Sequence, residues 1–244
     1  EDAKEAAIVE VNSETDFVAK NDTFRTYVAE VADQALTTAA ADIEGFLAED
    51  SKAEAGKTVK EALDGKIAVI GENLNIRRFA KVSAADGFVA SYIHAGGKIG
   101  VLVVADTDSD SDAVKECLKN VAMQIAALNP KYVSSYDVDA DYKEHEKQVL
   151  LAQAKNDPKN AGKPDEIIEK MIIGRLNKEL KEVCLLEQPY VKAENKENVK
   201  QYIESVATAE GCKLNVTKFV RFETGEGLEK KEEDFAAEVA AQLG

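Results

Sequence analysis

An apolar run from Ala7 to Val11 predicts a strand. It leads into Asn12-Ser13-Glu14-Thr15-Asp16-Phe17-Val18-Ala19-Lys20-Asn21-Asp22, where Ser13, Thr15, Asp16, Asn21 and Asp22 are all helix-capping types. Phe24, Val28, Val31 and Ala35 then recur at helical spacing and predict an amphipathic helix. Phe88 to Ala95 and Lys98 to Ala105 read as two strands, with Gly96-Gly97 as a two-residue hairpin turn. Tyr142, Val149 and Ala152 make a helical stripe that the loop Asp157 to Lys163 interrupts. Pro164, Asp165 and Glu166 open a second helix in the position and charge sense that helix starts favour. Ile168, Met171, Ile172, Leu176 and Val183 continue it, so the pair predicts an antiparallel helical hairpin whose helices cover each other. A final helix is expected from Glu233 to Leu243.

The pattern occurs twice. Val9 to Asp16 resembles Val101 to Asp108, each an apolar strand ending in Thr-Asp, and Ala35-Leu36 resembles Ala127-Leu128. Further on, Val59-Lys60 matches Val199-Lys200, Gly71 matches Gly211, Leu74-Asn75 matches Leu214-Asn215 and Phe79 matches Phe219. The separation widens because the second half holds an insertion, the helical hairpin at 139–186. The expected fold is α+β: two related subdomains, each a small, mainly antiparallel sheet packed on helices, with a protruding hairpin. The divisions are 1–96 for the first subdomain, 97–228 for the second and 229–244 for a C-terminal helical module.

Composition narrows the partners. The chain of 244 residues is long enough to bury a sizeable core, and 45% hydrophobic with 32% charged residues is ordinary for a globular protein. A net charge of −15 argues against a phosphate backbone as the main partner, and Arg77-Arg78 is the one local basic pair of note. No segment has the 18 or so apolar residues a bilayer span needs, so no membrane partner is expected. Cys117, Cys184 and Cys212 are odd in number and lack paired spacing, which suits a reducing cytoplasm and idle thiols.

Candidate chemistry is thin. Gly56-Lys57-Thr58 resembles the end of a phosphate-binding loop, but it follows the acid-rich Glu49 to Glu54 instead of a buried strand. Asp106, Asp108, Asp110 and Asp112 alternate like a calcium loop, yet Ser111 stands where the Gly should be and Cys117 where the bidentate Glu should be. His94 and His145 have no metal-ligand spacing. No cofactor and no catalytic residue is expected.

Phe17 is the anomaly, too early for the apolar face of the helix that follows. Either it is a hydrophobic staple packed on the first turn, or it is an exposed aromatic wedge that enters a partner. The repeat aligns Phe17 with Ser109, a position that then tolerates Ser, which points to exposure. An exposed Phe suggests a partner.

Thr15-Asp16-Phe17-Val18-Ala19-Lys20 after a Val-Asn strand end resembles the signature of the elongation factor Ts family. Ile70-Gly71-Glu72-Asn73-Leu74-Asn75-Ile76-Arg77-Arg78, Ser91-Tyr92-Ile93-His94, Lys98 to Val103, Gln188-Pro189-Tyr190-Val191 and Arg221 to Gly227 agree in the same order, so the resemblance spans essentially the whole chain. It implies a guanine-nucleotide exchange factor that binds elongation factor Tu, GDP-bound and nucleotide-free, in the cytoplasm, without catalytic residues and without direct nucleic-acid contact. A homodimer stays open. Thr15, Asp16, Phe17 and Val18 would dislodge Mg²⁺ from elongation factor Tu, with Phe17 near its switch region. Ile70, Gly71 and His94 carry over as further contacts in the first subdomain and Val191 in the second. The second subdomain would face a distal domain of the partner and the C-terminal helix its nucleotide-binding domain. Family members usually begin with a helical module of roughly fifty residues, and the chain is read as starting after it. Two rivals remain: a nucleotide-binding enzyme using Gly56-Lys57-Thr58, and a structural or ribosome-associated protein using the hairpin.

Overall fold

The computed structural model describes residues 4–160 and 162–228. The helix expected from Glu233 to Leu243, with the module 229–244, lies outside the described residues. Along the chain come β1 (Glu5–Asn12), α1 (Asp16–Ala19), α2 (Asp22–Thr37), α3 (Ile43–Ala48), α4 (Val59–Ile70), β2 (Asn75–Ser83), β3 (Gly87–His94) and β4 (Ile99–Thr107). Then follow α5 (Asp112–Leu128), α6 (Ala140–Asn156), α7 (Asp165–Val183), α8 (Val199–Glu210) and β5 (Leu214–Glu223). The class is α+β.

All strand pairing is antiparallel among the described residues: β1 with β2 in one sheet, and β3-β4-β5 in the other. Alternation along the strands gives each sheet two covered faces. Ala7, Val9, Val11, Ile76 and Phe79 turn toward α2, α3 and α4, where Phe24, Tyr27, Val31, Phe46 and Leu63 complete a first core. Val101, Val103, Ala105, Leu214 and Val216 turn toward α5 and α8, whose Val114, Leu118, Val121, Ile125 and Ile203 complete a second. The intervening positions meet between the sheets, where Ile8, Val82 and Ala84 pack on Val89, Leu102 and Val104. The molecule is therefore four layers, helix-sheet-sheet-helix.

The duplication is real but its register is not the one the Thr-Asp pairs suggest. Val9 faces Phe79 just as Val103 faces Phe219, and each strand carries a bulge at the matching place, Glu10/Val11 and Val104/Ala105. The strands thus correspond at a separation of 94 residues. The helices correspond at 90: buried Phe24, Tyr27, Val31, Gln34 and Ala35 have counterparts in Val114, Cys117, Val121, Gln124 and Ile125. Between strand and helix the first half is four residues longer, and α1 is the four-residue turn that occupies the difference.

Matching caps confirm the later part of the repeat. Thr58 and Asn198 each close a capping box, with Glu61 and Gln201, and Gly71 and Gly211 each end the helix in the left-handed conformation at φ 81 and 63°. Two buried glutamines brace the halves alike. Gln34 Nε2 donates to the Asp50 carbonyl while its Oε1 accepts from the Lys52 amide. Gln124 Nε2 donates to the Pro189 carbonyl while its Oε1 accepts from the Val191 amide. The Gly56-Lys57-Thr58 segment is thereby accounted for as a helix start, with Lys57 paired to Glu54.

Two expectations need correction, the turn between β3 and β4 and the apolar stripe of the helical hairpin. The β3–β4 connection is the four-residue loop Ala95 to Lys98, closed by the Lys98 amide on the Ala95 carbonyl, because His94 pairs with Ile99. β3 hydrogen-bonds to β4 and shares its sheet, so by strand pairing alone the sheets change between β2 and β3. In the hairpin the apolar contact comes from Leu150 and Ala154 on α6, with Ile168 and Ile172 on α7; Val149 is exposed. The hairpin helices end at Val183, and Leu185 already belongs to the second core.

At one end the two sheets are clasped by Glu10, whose charged side chain is buried. Its carboxylate accepts from Arg77 at 2.9 Å, from Arg78 Nε and from the Gly225 amide at 2.8 Å. Arg78 also reaches the Glu223 carbonyl and stacks 4.2 Å over the Phe222 ring. Burial alone pushes the Glu10 carboxyl up, but the Gly225 amide and the two guanidinium groups outweigh it and hold it below its ordinary 4.5. The Arg77-Arg78 pair is consequently spent on an internal carboxylate.

Glu10→Gln should lower stability by about 2–3 kcal/mol at pH 7, toward the low end for a broken buried pair because both guanidiniums keep some solvent. A depressed carboxyl contributes stability above pH 4.5 that is lost as the pH falls through its lower folded value. Urea unfolding at pH 7 and pH 3.5 should therefore show a smaller acid loss in Glu10→Gln than in the wild type. Replacing 140–183 by a short Gly/Ser linker should leave cooperative thermal unfolding, since α6 and α7 cover each other in a cluster of their own.

Candidate functional site

Strand directions bring the candidate residues to the clasped end. β1 leaves the sheet there at Asn12, β2 enters at Asn75, β3 finishes at His94, β4 starts at Ile99 and β5 finishes at Glu223. The Glu10–Gly225 bond fixes the two sheets end to end at that level. Thr15 to Val18 follow β1, Ile70 and Gly71 precede β2, and His94 closes β3, so seven of the eight expected positions share this end.

Thr15 is the N-cap of α1. Its Oγ1 accepts from the Val18 amide at 3.3 Å, and Asp16 lies in the first turn, the charge sense a helix start favours. A single turn cannot persist on its own bonds. The segment is held because Val18 and Ala19 pack on the first core and because Thr15 is tied to Glu72. The Thr15 amide donates to Glu72 Oε2 at 3.0 Å, and Thr15 Oγ1 donates to Glu72 Oε1 at 2.5 Å.

That arrangement turns Phe17 outward, and its side chain is 82% exposed. The staple reading is excluded, because Val18 and Ala19 make the contacts that a staple would make. The alignment of Phe17 with Ser109 also fails. Thr107 is still strand, paired with Leu214, whereas Thr15 caps a turn that the second half lacks. Phe17 is exposed because it sits on inserted chain, not because its position tolerates Ser.

Charged and polar side chains surround it. Lys20 reaches Asp16 at 2.7 Å, and Lys20, with a smaller push from Lys98 of the β3–β4 loop, holds the Asp16 carboxyl below the usual range. The β3–β4 loop that carries Lys98 lies at the same end as the α1 turn. His94 is exposed at the end of β3, where its Nδ1 shares a 2.9 Å hydrogen bond with the Tyr92 hydroxyl. Gly71 takes φ 81°, which lets α4 stop and return into β2, while Ile70 is half-buried on the first core.

Val191 stands apart in the second half. It is 54% exposed, on a loop pinned by its own amide to Gln124. Sequence reasoning did not single out Glu72 or Lys98. Both lie in stretches already quoted for the resemblance, but Glu72 is 57 residues from Thr15, and only the fold makes them neighbours.

Among the described residues no group of three or more His, Cys, Asp or Glu could hold a metal ion, and no helix is long and apolar enough to cross a membrane. Asp106 lies in β4, Asp108 accepts from the Lys213 amide and Asp112 opens α5 behind the Ser111 cap, so the alternating aspartates of 106–112 are divided among strand, turn and helix. Burial pushes the Cys117 thiol up to about 12, which makes it a poor nucleophile.

The family model described as Elongation factor TS matches residues 14–226. Among curated relatives, Elongation factor Ts of Clostridioides difficile (strain 630) is 55% identical over 238 residues, 98% of this chain and 76% of the relative. Elongation factor Ts of Trichlorobacter lovleyi is 52% identical over 241 residues, 97% of this chain and 76% of the relative. That of Magnetococcus marinus is 46% identical over 233 residues, 96% and 75% respectively.

Phe17→Ala should leave the melting temperature nearly unchanged, since an exposed ring leaves no cavity. Phe24→Ala, in the first core, should cost about 3–5 kcal/mol. Thermal unfolding of the two variants side by side checks the contrast.

Proposed function

The chain belongs to the elongation factor Ts family, and from that premise we propose that it is a guanine-nucleotide exchange factor for elongation factor Tu in translation elongation. It works in the cytoplasm, by protein–protein binding and without a catalytic group of its own, on GDP-bound and nucleotide-free elongation factor Tu. The observation that carries the mechanism is Phe17: a large aromatic, exposed, on a braced turn, at the end where Ile70, Gly71 and His94 also lie.

A GTPase grips its nucleotide through backbone amides, a Lys and a bridging Mg²⁺. An exchange factor must bind the empty GTPase more tightly than the loaded one, and the coupling is reciprocal, so the nucleotide equally weakens the factor. Loosening a nucleotide about 10⁴-fold takes roughly 5.5 kcal/mol of differential binding. Such energy concentrates in a few anchors, aromatic ones above all. In this reading the Thr15–Val18 segment enters the partner near its Mg²⁺ and phosphate site. Phe17 fills a pocket that the loaded form keeps closed, and the Asp16 carboxylate beside it disfavours the phosphate-bound arrangement. Ile70, Gly71 and His94 contact the same partner around the wedge, and Val191 contacts it from the second half.

The acidic surface and the internal use of Arg77 and Arg78 agree with a protein partner rather than a nucleic acid. Stopped-flow release of a fluorescent GDP from elongation factor Tu, with and without this chain, tests the proposal. Release should accelerate with added chain and saturate. Phe17→Ala should slow the stimulated release at least about tenfold, a change of ~1.4 kcal/mol, while removal of 140–183 should cost less. Release untouched by the chain at any concentration would favour a purely structural interaction protein.

A further inference from the structure

We infer that Glu72 is a positioning residue of the wedge: through its two bonds to Thr15 it holds the α1 turn, and so Phe17, in one orientation before any partner arrives. The inference rests on the reading that Phe17 is the group the partner receives.

The α1 turn has little of its own to hold it. Its remaining polar bonds are local: the Ser13 hydroxyl on the Thr15 carbonyl, Lys20 on Asp16, and the backbone bonds of the turn itself. Among the described residues, the Thr15–Glu72 pair is the hydrogen-bonded tie that joins the turn to a distant part of the chain. It is two-pronged, with amide and hydroxyl taken by the two oxygens of one carboxylate, so it fixes direction as well as distance. The same Thr15 hydroxyl accepts from the Val18 amide. The carboxylate, the hydroxyl and the Val18 amide thus form a relay that sets the backbone on both sides of Phe17.

Gly71 aims the carboxylate. Its left-handed φ of 81° reverses the chain after α4, and a Cβ there would meet nothing, so the glycine serves the turn and not a close contact. Glu72, the next residue, is thereby delivered back toward the end of β1.

The second half is the internal control. Gly211 makes the same left-handed turn, but Cys212 follows it where the first half has Glu72. There the strand-to-helix connection is four residues shorter and has no wedge. The tie between the two connections survives with its polarity reversed: the carboxylate belongs to Asp108 and the donor is the Lys213 amide. The carboxylate after the left-handed glycine therefore occurs in the half that carries the extra turn.

A wedge that is already ordered loses less freedom on binding, so loosening it should slow productive encounter without unfolding the protein. Glu72→Ala, Glu72→Gln, Thr15→Ala and the double variant Glu72→Ala/Thr15→Ala test this in two independent ways. In the free chain, hydrogen exchange of the Thr15 and Val18 amides should speed up about tenfold in Glu72→Ala, the factor for ~1.4 kcal/mol of lost local protection, at an unchanged melting temperature. In GDP release from elongation factor Tu, the second-order constant should fall about tenfold for the same lost energy, with Glu72→Gln intermediate because it keeps one acceptor. The double variant should be no slower than the slower single one, because both changes break one tie.

Unstimulated release with the wild-type chain sinks the exchange-factor reading. Wild-type stimulation that survives Glu72→Ala sinks the positioning role alone. Unchanged exchange of the Thr15 and Val18 amides overturns it whatever the kinetics. A Glu72→Ala chain that melts several degrees lower and slows release only in proportion to its unfolded fraction overturns it too.

Discussion

The buried carboxylate of Glu10 is the constraint on which the arrangement turns. A two-stranded sheet is marginal alone, and here it is stabilised from both sides, by the helices of the first core and by the second sheet. Apolar packing between Ile8, Val82, Leu102 and Val104 favours contact between the sheets but leaves their sliding only weakly opposed. A charge in that interface must be compensated, and Arg77, Arg78 and the Gly225 amide satisfy it at one relative position. The cost of desolvating Glu10 is thus exchanged for register. Because the clasp sits where β1, β3 and β5 end, it also fixes which loops become neighbours.

The duplication divides labour between two similar halves. Both keep the strand bulge, the capping box, the left-handed glycine and a buried glutamine brace, features that a core cannot lose without leaving polar groups unpaired. What differs lies on the outside. The first half gains a four-residue turn and the carboxylate that holds it, while the second gains a helical hairpin with its own apolar seam. In a family of elongation factors Ts, the exchange chemistry proposed for this chain needs little more than that: an aromatic on an added turn, set on a scaffold stiff enough to direct it.

Exposure of Phe17 is affordable because the apolar residues next to it in sequence are not exposed with it. Val18 and Ala19 pack on the first core, Thr15 is tied to Glu72, and Asp16 is paired with Lys20. A lone exposed ring among paired charges presents less sticky surface than a contiguous apolar patch of the same chain length would.

Much was legible in the sequence, where it depended on local periodicity. The strands at Ala7–Val11 and Phe88–Ala95, the helix through Phe24 and Val31 and the hairpin opened by Pro164 are set by neighbours within a few residues. The resemblance carried by Thr15 to Lys20 was legible too, since a motif of that specificity needs no third dimension. What only the tertiary structure decided involves long separations or a choice of register. The repeat seemed to align at the Thr-Asp pairs because two residues of identity outweigh a shift by two that leaves every apolar face unchanged. Strand pairing shows instead that the Thr15 turn is an insertion. Whether Phe17 packs as a staple or stands exposed depended on which of its neighbours reached the core, and that is a matter of packing. Glu72 was in plain view beside Gly71, but a carboxylate reveals its partner only when the fold closes 57 residues of chain and brings Thr15 to it.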